Sequence, residues 1–96
     1  MKKRFIILVD DATREQQNAV TLFFKGKFGY WHHFSDAWLV STTRDEWTTA
    51  KIRDELKSVV PGPNILVLEI EAPNAWAGFG KKGMFDWFRE ASWSSD

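Results

Sequence analysis

Apolar residues run without a break from Phe5 to Val9 and stop at Asp10 and Asp11. A run this short, rich in β-branched side chains, predicts a strand buried on both faces. Thr13 with Gln16 three residues on is a capping box, and Ala19, Val20, Phe23 and Phe24 follow at helical spacing. The first helix should stop near Lys25-Gly26. Two strands are then predicted, Gly29 to Phe34 and Ala37 to Ser41, joined by a tight turn at Ser35-Asp36. Thr43-Arg44-Asp45-Glu46 reads as a second capping box, with Ile52, Leu56, Val59 and Val60 as the buried stripe behind it. On that helix Trp47 would lie about 140° from Ile52, so its ring is expected at an edge or an interface. Lys51 and Glu55 fit an exposed ion pair. Pro61-Gly62-Pro63 ends the helix, and Asn64 to Glu71 reads as the last strand. Leu66, Leu68 and Ile70 share one of its faces; Ile65, Val67, Glu69 and Glu71 share the other.

The order is β-α-β-β-α-β, which predicts an α+β, ferredoxin-like fold with an antiparallel sheet in the order 4-1-3-2. Polarity along the strands agrees. The first and third are apolar on both faces, as central strands should be. The second and fourth carry Tyr30, His32, His33, Glu69 and Glu71, as edge strands can. Residues 1–71 are the expected core and 72–96 a C-terminal extension. In it, Met84 to Glu90 suits a short amphipathic helix, packing on its own sheet or on a second subunit.

The hairpin Gly29 to Thr42 carries large side chains on both faces, where a sheet covered on one side should alternate. With a two-residue turn, Trp31, His33, Trp38 and Val40 would share one face, and Tyr30, His32, Phe34, Ala37 and Leu39 the other. One set packs under the helices. The other meets a partner chain, a ligand or a further element, and a homodimer is the expectation.

Composition narrows the function classes. Thirteen basic and thirteen acidic residues cancel, which argues against a strongly basic nucleic-acid-binding face. Six Trp and eight Phe in 96 residues exceed what one modest core needs. The chain has no Cys, so it has neither disulfides nor a Cys-based zinc site. The N-terminal apolar run is too short for a signal peptide and no segment is long enough to span a bilayer, so a cytoplasmic protein is expected.

Several short segments carry a family resemblance: Val9-Asp10, Trp31-His32-His33 with Trp38-Leu39-Val40, Ile52-Arg53 with Leu56, Leu66-Val67, and the Ala75/Gly78 region. Together they cover most of the chain and resemble short bacterial proteins of unknown function labelled "SinR-like", a label that does not denote kinship with the SinR transcription regulator. More distantly, the element order with Asp10 ending the first strand resembles the small ferredoxin-like subunit of the CRISPR spacer-integration complex and VapD-type toxins. The resemblance implies a ferredoxin-like fold and a dimer, but fixes no activity. In the CRISPR subunit the matching acid sits near the dimer axis. By that likeness two copies of Asp10 could hold a divalent metal such as Mg²⁺, and such a metal could activate water against a phosphodiester.

The candidate residues divide by chemistry. Asp10, with Asp11, is either such a metal ligand or a polar strand end that favours the next helix. His32 and His33 are neighbours on a strand and point to opposite faces, so they cannot easily share one metal. Trp31, His33, Trp38 and Trp47 are candidate interface residues, by packing or by stacking nucleobases. Lys81 and Lys82, in Gly-Phe-Gly-Lys-Lys-Gly, could hold an anion before a helix, although the loop lacks a Walker pattern. The expected function is a small dimeric interaction module whose partner is nucleic acid or a protein of a defence or mobile-element system. The alternatives are a metal-dependent nuclease and a small-ligand regulator using the aromatic sheet face.

Overall fold

The computed structural model describes residues 1–71 and 75–94; residues 72–74 and 95–96 of the expected extension lie outside the described residues. Strand β1 (Lys3–Asp10) lies between β3 (Ala37–Thr42) and β4 (Asn64–Ile70), and β2 (Gly29–Phe34) pairs with the outer side of β3. All pairings are antiparallel. The order β2-β3-β1-β4 is the expected ferredoxin-like arrangement, with the two apolar strands at the centre.

Helices α1 (Arg14–Phe24) and α2 (Thr49–Val59) cover one face of this sheet. Asp11 reverses the chain after β1 in the left-handed region, at φ 62°. Thr13 then caps α1 through both arms of the box: its hydroxyl accepts from the Gln16 N–H at 3.1 Å, and its own N–H donates to Gln16 Oε1 at 2.9 Å. Gly26, at φ 84°, takes the chain out of the helix as expected. Beneath the helices Phe5, Ile7, Val9, Trp38 and Val40 are fully buried, and Phe24, Ile52 and Leu56 pack down onto them.

The second helix departs from the sequence reading. It starts at Thr49, not after Thr43, and its N-cap is Thr48, whose hydroxyl accepts from the Lys51 N–H at 3.1 Å. Glu46 does not reach back to close a box; its carboxylate binds Arg44 at 3.0 Å and Lys51 at 3.7 Å. Lys51 thus pairs with Glu46, where Glu55 was expected. The physical reason is Trp47. Outside the helix it turns into the core, with its ring 4.9 Å from that of Phe28 and 5.9 Å from that of Phe23. A helix starting five residues earlier would carry that ring around to the flank. The Lys3 ammonium pins the loop by donating to the Trp47 carbonyl at 2.8 Å.

The hairpin also differs in register. Ser35-Asp36 is the expected two-residue turn, and Phe34 pairs with Ala37. An irregularity between Trp31 and Phe34 then shifts the pairing by one residue, so Trp31 faces Leu39 and Tyr30 faces Val40. A one-residue shift moves side chains to the other face. Trp31 is therefore separated from Trp38 and Val40, with which the regular pairing grouped it. Trp38 and Val40 lie under the helices, and Trp31 lies on the second face with Leu39.

That second face is partly closed by the chain's own C-terminus. In place of one amphipathic helix, the segment forms a 3-10 helix (Asp86–Arg89) followed by the short helix α3 (Ala91–Ser94). Phe88 and Trp93 bury themselves against Trp31, with Leu39, Ile70, Met84, Phe85 and Trp87 around them. The Trp31 indole N–H donates to the Met84 carbonyl at 2.8 Å, tying strand to tail. Arg4, buried on this face, donates through Nε to the Trp93 carbonyl and lies 5.9 Å from the Trp93 ring. No helix of the described residues is long and apolar enough to cross a membrane.

Candidate functional site

The strand registers resolve the second face into three rows across all four strands. Gly29, Ser41, Arg4 and Ile70 form one; Trp31, Leu39, Ile6 and Leu68 the next; Phe34, Ala37, Leu8 and Leu66 the third. The C-terminal segment closes the first row and the Trp31 side of the second. The rest stays open: Leu8 is 37% exposed, Leu66 52%, Leu68 46% and Phe34 48%. Leu8, Leu66 and Leu68 thus lie side by side in water, and Phe34, across Ala37 and edge-on to Trp31 at 4.9 Å, extends the group. Exposed apolar residues are ordinary when scattered, but a contiguous group on a flat sheet marks an interaction surface. Beside this strip an apolar cleft of about 510 Å³ opens between the sheet and the segment 75–79.

These residues were not singled out from sequence, although one sign of them was present. Leu66, Leu68 and Ile70 alternate with Ile65 and Val67, so β4 is apolar on both faces. Which of the two faces lay under the helices depended on tertiary packing.

The sequence-derived candidates scatter. Trp38 and Trp47, expected at an interface, are buried in the main core of the chain itself. Trp38 donates its indole N–H to the Thr21 hydroxyl at 2.9 Å. The buried Trp47 indole N–H lacks a hydrogen-bond partner. Trp31 is covered by the chain's own tail. Lys81 and Lys82 are exposed as expected, but they precede a turn through Gly83 and a four-residue 3-10 helix, which gives no helix N-terminus for an anion.

The two histidines have different surroundings. The His32 ring stacks on Trp38 at 4.0 Å and 2°, with Nδ1 3.0 Å from the Ala37 carbonyl. A carbonyl oxygen only accepts, so Nδ1 carries the proton in this contact. His33 is exposed, its ring 5.2 Å from that of Trp31. They do not converge on one point.

Asp10 ends β1 in the open and accepts a long hydrogen bond, 3.4 Å, from the Asn64 amide. It lines a shallow cleft with Asp11, Gln16, Gly62, Pro63 and Asn64. Among the described residues no three His, Cys, Asp or Glu side chains come together as a metal site. The carboxylates that line this cleft are those of Asp10 and Asp11, a thin charged donor set for a cation that favours octahedral oxygen coordination. The charges with a resolved shift lie elsewhere. A hydrogen bond from Arg44 holds the Glu46 carboxyl below its usual range, and one from Arg53 does the same for Asp54. Both are surface pairs.

Comparison with protein-family models, with curated proteins and with solved structures finds no match to this chain.

Proposed function

We propose that this protein is a small interaction module of ferredoxin-like type that works as a homodimer through the open part of its second sheet face. The observation that carries the reading is the exposed strip Phe34, Leu8, Leu66 and Leu68. Two copies meeting face to face would bury eight such half-exposed side chains. At about 1 kcal/mol each, from half the value for full burial, this is on the order of 8 kcal/mol. Association costs an estimated 4–15 kcal/mol or more before any binding remains. The strip alone thus supports a weak dimer at best, and the apolar rim formed by Trp76 and Phe79 adds to it. The partner proposed for the assembled module is a nucleic acid or a protein of a defence or mobile-element system. Its Lys81 and Lys82 side chains remain available on each copy.

The test is the native mass across micromolar to millimolar concentration, as a weak dimer requires, for the wild-type chain and for Leu68→Glu. The reading expects a dimer that Leu68→Glu converts to a folded monomer. A monomeric wild-type chain, or a dimer indifferent to Leu68→Glu, overturns it.

A second reading, a metal-dependent phosphodiesterase with Asp10 supplied by both copies, is supported by the exposure of Asp10 two residues beyond Leu8, beside the proposed interface. It expects Mg²⁺-dependent cleavage of nucleic acid that Asp10→Asn abolishes. Cleavage untouched by that substitution would sink it.

A further inference from the structure

The cleft beside the leucine strip has a floor of Ile6, Leu39 and Ile70, contributed by three strands. Trp31, Phe85 and Phe88 line it on the sheet and tail side, and the segment 75–79 lines it with Trp76 and Phe79. Its volume, about 510 Å³, lies within the range of small-molecule sites, roughly 300–1,000 Å³. No charged side chain is among the described residues that line it.

Its aromatic walls are held in place. The Trp31 indole N–H is engaged by the Met84 carbonyl, and the ring stacks on Phe85 at 5.8 Å and 21°. Trp76 lies 5.0 Å from Phe88, and the Arg89 guanidinium covers Trp76 at 5.1 Å. Gly78 lies so close to Phe85 that a Cβ would come within 2.9 Å of that ring, so the segment 75–79 is seated directly on the aromatic cluster. Phe79 does not fill the space, since it is fully exposed.

A space this large and this apolar offers water few partners, and an apolar occupant gains by replacing it. Ring faces set the shape of that occupant, because aromatic pairs favour offset-stacked and edge-to-face geometry. The absence of charged lining excludes an ion, whose desolvation nothing here would offset. We infer that this cleft binds an uncharged, planar aromatic small molecule, seated on the floor of Ile6, Leu39 and Ile70 and against the exposed rings of Trp76 and Phe79. The site is lined by one chain; it shares Phe34, Trp76 and Phe79 with the proposed dimer surface, while Leu8, Leu66 and Leu68 lie outside its lining.

The experiment is a fluorescence titration of the full chain with N-phenyl-1-naphthylamine, an uncharged naphthalene probe, with stoichiometry read by native mass spectrometry. One probe per chain is expected, with Kd below about 10 μM. Two variants fill the space from opposite sides, Ala77→Phe from the segment outside the sheet and Leu39→Phe from the floor. Weakening of at least about tenfold in either variant, with thermal unfolding retained, supports the inference. No saturable binding by the wild-type chain, or wild-type affinity in both variants, overturns it. Leu68→Glu separates the two readings: it should bind the probe like the wild type whether or not the chain dimerises. Loss of probe binding in that variant would overturn a single-chain site.

Discussion

The two faces of the sheet are closed by different means. Under α1 and α2, Phe5, Ile7, Val9, Trp38 and Val40 are fully buried. On the opposite face Trp31 is buried while Leu8 and Leu66, on neighbouring strands, stand half in water. Each helix has eleven residues, about 16 Å at 1.5 Å per residue, and the pair spans the sheet. The C-terminal cover has two single-turn helices of four residues each. It closes one row of the sheet and part of the next. One face is thus a finished core. The other is a core and a surface joined along a line that runs through Leu39 and Ile6.

Substitutions can sharpen this contrast. The largest effect is expected from Phe5→Ala, which opens a void under both helices. It should lower unfolding free energy by about 3–5 kcal/mol in a urea titration, and a loss below about 1 kcal/mol would contradict a closed helix face. Trp93→Ala should follow, at about 3 kcal/mol, because it removes the ring that covers Arg4 and Ile70. Its effect should come with increased exchange of amides in the tail and β3, while amides of α1 stay protected. Loss of α1 protection would show that the two faces are one cooperative unit.

The tryptophans of the helix face offer a finer comparison. Trp38→Phe loses the hydrogen bond to the half-buried Thr21 hydroxyl, so a loss of about 0.5–1.5 kcal/mol is expected from the bond alone. Trp47→Phe removes a buried N–H that has no partner, so the smaller ring should cost less than at position 38. The reverse order in thermal midpoints would refute this account of the two rings.

The smallest effect is on pH dependence. The folded state holds the Glu46 and Asp54 carboxyls below their usual pKa, so it binds fewer protons than the unfolded chain in the acid range. Their stabilisation is present above the ordinary carboxylate range and disappears as pH falls through the lowered folded-state values. Because both pairs are fully exposed, high salt should weaken this dependence. Stability that rises as pH falls through the acid range would contradict the sign for Glu46.

Much of the frame was legible along the chain. The apolar run Phe5 to Val9, the Thr13 capping box and the Pro61-Gly62-Pro63 stop are local signals, and each formed as local physics requires. Their order and the polarity of the strands were enough to place β1 and β3 at the centre. The start of α2 was misread because two threonines, Thr43 and Thr48, each offer a capping hydroxyl. Burial of Trp47 against Phe23 and Phe28, residues more than fifteen positions away, decided between them. The faces of the hairpin were misassigned because the shift between Trp31 and Phe34 has no turn or glycine signature of its own.

What the sequence determined by itself is therefore the fold class, the central strands and the need for cover on both faces of the hairpin, since period, capping and turn chemistry act over a few residues. What the tertiary structure decided is which face each aromatic enters and how far the tail reaches. Those outcomes depend on register and on contacts between distant segments. The open strip and the aromatic cleft arise there, where the described residues of the tail cover one row of the second apolar face and part of the next.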